Sequence, residues 1–491
     1  MPPSDELARL DAHDQADLVR SGHLTARELT EAAIGRIEAT DPQLGAVVTP
    51  TFELAIRQAD AVDASPSPPQ QFPGVPVLVK DLGLEIAGVP LREGSRFLHD
   101  HVSTETSEYA TRLLRGGVAI LGRTATPEFG MSPTCEAVEY GRPTRNPWDR
   151  TRSTSGSSGG SAAAVASGMV PVAHGNDMGG SIRFPASACG LFGFKPTRGR
   201  NPVGPIYGDI VGGAAVDHVL TRTVRDSAAM LDLTSGPAPG DPYRAPNPKR
   251  PFVAELGRSP GRLRIAFTSR RPDRKPGHPD CVAALDDAVT LLESLGHHVV
   301  QADLPGLDAV GEAIGCMFNA ATAWGIGHWV RVLGREPADD ELEPLTRAFY
   351  EAGRATPAGE YLLALEDLQR FSRVVAEFFT HHDVWVTPTM SSLPAPLGHI
   401  TSTADEPFRA LERSSDTVAY PAVVANITGA PAMSIPLCWN ADRLPIGVHA
   451  LGPYGADARL FQLAAQLEAA RPWAHRMPPV HAAAPLHHAA H

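Results

Sequence analysis

Basic charge, cysteine and long apolar runs are all scarce in this chain. Its 43 lysines and arginines face 55 aspartates and glutamates, a formal net charge of −12, so no nucleic-acid partner is expected. No apolar run approaches the about 18 residues that a membrane span needs, so no membrane association is expected either. The N-terminal Met1-Pro2-Pro3-Ser4-Asp5-Glu6 is acidic and lacks the basic and apolar regions of a signal peptide, which makes the cytoplasm the expected address. The five cysteines, Cys135, Cys189, Cys281, Cys316 and Cys438, form no C-x-x-C pair. Such a scattered, odd-numbered set fits a reducing compartment and reads mainly as small buried hydrophobes.

Several catalytic signatures are missing as well. There is no H-E-x-x-H and no Cys/His ligand cluster, so neither metal nor cofactor is expected. The glycine-rich stretches lack the Gly-Lys-Ser/Thr of a P-loop, and Ser181 is followed by Ile-Arg-Phe rather than sitting in a G-x-S-x-G elbow. None of the 19 histidines has a distinctive context; His174, seven residues before Ser181, is the nearest candidate for a histidine-based triad. In the Ala/His-rich end, His487, His488 and His491 have no carboxylate or cysteine beside them, so this end reads as disordered rather than metal-binding.

What is present is an alternation of short apolar runs with helical patterns. Thr25-Ala26-Arg27-Glu28 reads as a capping box that opens a helix with Leu29, Ala33 and Ile37 on one face. Ser65-Pro66-Ser67-Pro68-Pro69 reads as a surface linker. Residues 75–79 and 118–122 read as buried strands with a helical segment at 109–114 before the second, an α/β arrangement. Residues 161–168 form a small-residue helix pattern closed by glycine, and 170–173 a further strand. Six prolines between Pro237 and Pro251 mark a break. Beyond it, strand patterns at 263–267 and 298–300 flank a helix pattern at 280–295. Residues 305–380 look mainly helical, 384–389 resume the sheet, and 457–468 close with an amphipathic helix.

The chemistry concentrates in Ser153-Thr154-Ser155-Gly156-Ser157-Ser158-Gly159-Gly160-Ser161 and Asp177-Met178-Gly179-Gly180-Ser181-Ile182-Arg183. Two glycine-flanked serines, Ser157 and Ser181, lie 24 positions apart (181 − 157). One precedes a helix and the other follows a strand, the positions where function gathers in open α/β sheets. Gly179 and Gly180 let backbone N–H groups converge on one spot, as an oxyanion hole requires. Lys80 ends the apolar run Val75-Pro76-Val77-Leu78-Val79. Burial there would favour the neutral amine, which can act as a base. A hydroxyl nucleophile, a hydroxyl that relays a proton and an amine that accepts it point to acyl transfer at an amide.

These residues resemble the amidase signature family. The resemblance runs through Gly74-Val75-Pro76 with Lys80-Asp81, Gly122-Arg123-Thr124 with Pro127-Glu128-Phe129, Arg145-Asn146-Pro147-Trp148, both serine loops, and Gly190-Leu191-Phe192-Gly193-Phe194-Lys195-Pro196-Thr197. Asn426-Ile427-Thr428-Gly429 and Leu444-Pro445-Ile446-Gly447-Val448 also look like family blocks, and the match is weakest over residues 240–415. It implies an α/β fold with a large mixed β-sheet covered by helices on both faces and a helical cap or insertion. It implies a Ser–cis-Ser–Lys triad of Ser181, Ser157 and Lys80, a cis peptide before Ser157, and an oxyanion hole from the N–H groups of Met178, Gly179, Gly180 and Ser181. Asp177 and Arg183 would brace the loop.

Two departures stand out: Gly175-Asn176-Asp177 where Gly-Thr-Asp is common, and Ser155-Gly156-Ser157-Ser158 where Gly-Gly-Ser-Ser is common. His174-Gly175-Asn176-Asp177 and Arg198-Gly199-Arg200-Asn201-Pro202 are similar to the branch that includes 6-aminohexanoate cyclic-dimer hydrolase.

The expected organisation is a helical region at 1–70, a catalytic core at 71–235, a variable region with the cap at 236–385, the rest of the core at 386–475, and a disordered tail at 476–491. Met131, Cys135 and Cys316 are expected to line the substrate pocket. The expected activity is hydrolysis of a small-molecule carboxylic amide, with cyclic amides, aryl acylamides and carbamates as alternatives. A glutamine amidotransferase-type subunit that supplies ammonia to a partner is the rival reading, and a homodimer is left open.

Overall fold

Eleven short strands, most of them the apolar runs marked above, hydrogen-bond into one mixed sheet. The computed structural model describes residues 4–65 and 70–483; most of the linker and the residues from 484 onward lie outside them. In chain order the strands are β1 (Val47–Pro50), β2 (Pro76–Lys80), β3 (Ala119–Thr124), β4 (Val172–Asp177), β5 (Phe192–Lys195), β6 (Val216–Thr221), β7 (Arg264–Phe267), β8 (His298–Gln301), β9 (Val384–Pro388), β10 (Ala432–Trp439) and β11 (Pro445–Leu451). Their spatial order is β1-β3-β2-β4-β6-β5-β10-β11-β9-β7-β8. β2 runs parallel to β3 and β4, β7 runs parallel to β8 and β9, and the remaining pairs are antiparallel.

The two-residue period of a strand explains why helices cover both faces. Leu78, Ala119, Leu121 and Ala173 enter one cluster with Ala33, Ile37 and the helix Gly159–Ala166. Their neighbours Val77, Val79, Ile120 and Val172 point the other way, against Tyr109, Leu113 and Met230. The helix Gly159–Ala166 has no polar stripe because every one of its residues is buried. Its first turn lies against the chain just beyond β3: a Cβ on Gly160 would stand 2.4 Å from the Ala125 nitrogen. The capping box at Thr25 is formed, with the Glu28 N–H donating to Thr25 Oγ1 at 3.0 Å and the Thr25 N–H to Glu28 Oε2 at 2.9 Å.

The chain leaves β2 toward β3 on one side and later returns to place β4 on the other. Ligands in open α/β sheets bind outside the carboxyl ends of strands at such a reversal, and Lys80 and Asp177 are the last residues of β2 and β4. The helix Gly311–Leu333 reaches over this end, and the helices Pro344–Ala355 and Ala358–His381 pack against it.

Two boundaries differ from expectation, at the N-terminal region and at the tail, whereas the region at 236–385 carries the expected strands, β7, β8 and β9, at the opposite sheet edge. The N-terminal region is not purely helical, since β1 extends the sheet beside β3. The disordered end does not begin at 476: His481 is buried and the Ala482 N–H donates to the Ser167 carbonyl at 2.8 Å. No helix among the described residues is long and apolar enough to cross a membrane.

Candidate active site

Lys80 is fully buried, because β2 is flanked by strands on both sides and covered on both faces. Its Nζ donates to Ser157 Oγ and to Asn176 Oδ1, each at 2.6 Å. Burial pushes its ammonium down from an ordinary 10.5 to about 7, against a smaller upward pull from Cys135, Asp177, Asp217 and Glu93. A lysine at about 7 is divided between base and acid near neutrality, as proton transfer requires.

Ser157 stands at the entry to the helix Gly159–Ala166, behind a cis Gly156–Ser157 peptide. The two serine loops are tied together by the Ser158 N–H donating to the Ser181 carbonyl at 3.1 Å and by Ser158 Oγ donating to the Asn176 carbonyl at 3.2 Å. Ser157 and Ser181 both face one cavity, whose wall also contains Asn176, Met178, Glu93 and Asp217.

The turn carrying Ser181 is organised by a buried ion pair. Asp177 Oδ1 accepts from Arg183 Nη2 at 2.8 Å and from the Gly180 N–H at 2.9 Å; Oδ2 accepts from Arg183 Nε at 3.0 Å and the Ile182 N–H at 3.1 Å. Burial by itself would raise this carboxyl. The Arg183 guanidinium, with bonds from Asn426 and Ile182, more than offsets it and holds Asp177 below the usual carboxylate range. Arg183 in turn donates to the Ala422 carbonyl at 2.7 Å and to Asn426 Oδ1 at 2.8 Å. Gly180 has φ +129°, and a Cβ there would stand 2.3 Å from the Phe184 ring, so only glycine fits.

Of the four N–H groups in the expected oxyanion set, that of Gly180 already has an acceptor, Asp177 Oδ1 at 2.9 Å. Among the described residues the N–H groups of Met178, Gly179 and Ser181 have no backbone acceptor. His174 lies under the lysine rather than beside a serine. Its Nδ1 accepts from the Lys80 N–H at 3.3 Å and its Nε2 meets Asp217 Oδ1 at 3.1 Å, so the two bonds together set the Nε2–H tautomer.

Of the three expected pocket residues, Met131 lines the cavity, and the other two do not. Cys135 lies behind the Ser157 loop, with Sγ donating to the Ser157 carbonyl at 3.4 Å. Cys316 is on the helix Gly311–Leu333 but packs against the apolar cluster of Leu368 and Phe371. The residues of that helix that do reach the cavity, Ala321, Thr322, Trp324, His328 and Trp329, lie further along it, more than one turn beyond Cys316. The spacing of Trp324 and His328 marks one helix face, a signal legible in the sequence. Nothing local marks Glu93, and Asn176 stands out only as a departure from the family wording. Asn426 lies within a quoted family block without a role. Here its Nδ2 donates to the Asp177 carbonyl at 2.8 Å.

The sequence profile of the Amidase family matches residues 28–461. The 6-aminohexanoate-cyclic-dimer hydrolase of Paenarthrobacter ureafaciens is 36% identical over 95% of this chain and 96% of its own length. The putative amidase AmiC of Mycobacterium tuberculosis is 36% identical over 96% of each chain. A solved structure of 6-aminohexanoate cyclic dimer hydrolase complexed with substrate superposes with TM-score 0.90 at 34% identity, covering 96% of this chain and 99% of that one. A bacterial aryl acylamidase of the amidase signature family superposes with TM-score 0.86 at 26% identity, over 95% and 97% of the two chains. With a mixed eleven-stranded sheet of the same fold and a family match across most of its length, this chain belongs to the amidase family and is a hydrolase of amide bonds.

Proposed function

We propose that the protein hydrolyses an uncharged, largely apolar amide through an acyl-enzyme on Ser181. The observation that carries this reading is the 2.6 Å bond from Lys80 Nζ to Ser157 Oγ, with Ser181 on the same cavity wall. Ser181 Oγ attacks the carbonyl carbon and its proton passes through Ser157 to the neutral Lys80 amine. The Met178, Gly179 and Ser181 N–H groups stabilise the oxyanion. On collapse the C–N bond breaks, and the proton returns through Ser157 to the leaving nitrogen. Water then enters by the same relay and frees the acid. No step calls for a cofactor or metal.

The cavity wall supports the substrate class. Phe129, Tyr207, Trp324 and Trp329 supply aromatic surface, and among the described residues no lysine or arginine lines it, whereas Glu93 and Asp217 do. An apolar amide is favoured there and an anion is disfavoured. Free glutamine would bring its α-carboxylate beside two acidic side chains without a cation, which counts against the amidotransferase-type reading. Cyclic amides and aryl acylamides, the classes named for the relatives, suit the walls better, and carbamates share the same acylation chemistry.

The test is a sulfonyl fluoride probe followed by intact-mass and peptide analysis, with a panel of cyclic, aryl, linear and carbamate substrates. One adduct at Ser181 is expected, with none in Ser181→Ala, and kcat in that variant reduced by at least about 10³-fold. An active Ser181→Ala or an adduct elsewhere would refute the mechanism. Preferential hydrolysis of glutamine would refute the substrate class.

A further inference from the structure

Asn426 takes no part in the proton relay, yet its side-chain amide is fully buried and every bond it makes leads to the Ser181 turn or to the cavity wall. Its Oδ1 accepts from Arg183 Nη2 at 2.8 Å. A guanidinium only donates, so this bond settles which end of the amide is the nitrogen. The Nδ2 donates to the Asp177 carbonyl at 2.8 Å, to Asp177 Oδ1 at 3.0 Å and to the Ala214 carbonyl at 3.0 Å. Ala214 lies just before β6, in a loop whose Val211 and Ala215 border the catalytic cavity. Asp177 ends β4 opposite Val216 at the start of β6. The amide nitrogen therefore bridges the two chains where their ladder ends, on the β6 side of β4.

A peptide unit is planar, and in the trans form its N–H points opposite to its carbonyl. The peptide joining Asp177 to Met178 is trans. With its carbonyl held on the β6 side, its N–H, which is that of Met178, points to the β2 side. There Lys80 ends its strand and reaches Ser157 and Asn176. Met178 borders the cavity, and its N–H has no backbone acceptor among the described residues. The carboxylate of Asp177 does not fix this plane, because its bonds go to the N–H groups of Gly180 and Ile182, further round the turn.

We propose that Asn426 is a positioning residue for the oxyanion. By gripping the Asp177 carbonyl it holds the Met178 N–H toward the oxygen of the amide under attack. A donor stabilises developing charge fully only when it is aimed beforehand, and Asn426 supplies that aim from behind the turn. This rests on the acyl-enzyme reading above and adds the side chain that orients one of its oxyanion donors.

Two variants and a pair of inhibitors test this. Asn426→Asp keeps an acceptor for Arg183 and loses the donor; Asn426→Leu loses both. The inhibitors are a phenylalkyl trifluoromethyl ketone, which adds to Ser181 as a tetrahedral oxyanion, and the matched compound with CH2 in place of the carbonyl, which cannot. Rates are taken on the fastest amide of the substrate panel, per site titrated with the sulfonyl fluoride. In Asn426→Asp kcat is expected to fall by about 10²-fold or more, the usual cost of one oxyanion donor, with KM within about threefold. Affinity for the ketone should fall in step with kcat/KM, while affinity for the CH2 compound stays within about threefold.

A fall in kcat with ketone affinity unchanged would overturn the inference, as would a kcat within about threefold of wild type. Equal losses of affinity for both inhibitors would also overturn it, leaving Asn426 a structural residue only. If neither variant titrates because it does not fold, a crystal structure of the wild-type ketone adduct decides. The oxyanion is expected about 3 Å from the Met178 nitrogen, with Asn426 still on the Asp177 carbonyl; an oxyanion turned away from Met178 would refute the assignment. Absence of any Ser181 adduct in the wild type would instead strike the parent reading.

Discussion

Replacing Lys80 by methionine should leave the protein inactive yet more stable at neutral pH, and the stabilisation should change sign with pH. Burial lowers the Lys80 pKa from 10.5 to about 7, a penalty of roughly 4–5 kcal/mol on the charged form at about 1.4 kcal/mol per pH unit. In the unfolded chain the lysine is charged up to its ordinary value. Between about 7 and 10.5 the unfolded state therefore binds more protons than the folded one, and folding stability rises with pH across that window. Below about 7 the full penalty applies, and above 10.5 it is gone.

Methionine removes the penalty but breaks the bonds to Ser157 and Asn176, at about 1 kcal/mol each. The net gain is about 2 kcal/mol at pH 7, a rise of roughly 2 °C in Tm for a chain this long. It falls to zero near about pH 9 and becomes a loss above it. The assay is thermal or urea unfolding of both proteins from about pH 6.5 to 10.5, beside kcat/KM profiles. Wild-type kcat/KM should climb through an acid limb at about 7. A stability difference that stays constant with pH, or a methionine variant less stable at pH 7, would refute the reasoning that Lys80 is held neutral by burial.

Three further outcomes follow from the same geometry. Asn176→Asp would put a carboxylate 2.6 Å from the Lys80 amine; it should raise the lysine pKa and move the acid limb of kcat/KM up by about 1–3 pH units, with activity recovering in alkali. Gly180→Ala would set a Cβ into the Phe184 ring at a φ of +129°; a loss of about 2–4 kcal/mol in urea unfolding is expected, together with a large fall in kcat. Arg183→Met would leave Asp177 buried without its cation, and calorimetry should show a destabilisation of about 3–5 kcal/mol at neutral pH. That loss should narrow in acid, because Asp177 freed of Arg183 would take up a proton at higher pH.

Much of this protein could be read one segment at a time. The capping box at Thr25, the small-residue helix after Ser157, the apolar run ending in Lys80 and the glycines before Ser181 are local patterns. Each specifies a backbone shape within a few residues, so the serines and the lysine could be singled out before any contact was known. The strands of the region at 236–385 were legible as apolar runs, but their neighbours were not, because β9 pairs with β7 and β11 across long separations in sequence.

What tertiary structure alone decided is the state of those groups. The pKa of Lys80 depends on burial and on charged groups as far away in sequence as Asp217, 137 positions on (217 − 80). Asn176 becomes its partner only because β2 and β4 are neighbours. The Gly180 N–H donates to Asp177 because the buried Arg183 ion pair holds that carboxylate within reach. Cys135 and Cys316 sit close in sequence to the pocket and point elsewhere, whereas Glu93, Trp329 and His328 meet across 236 positions (329 − 93). Local sequence encodes backbone shape and reactive groups. Burial, protonation and pocket walls arise from contacts that only the folded chain brings together.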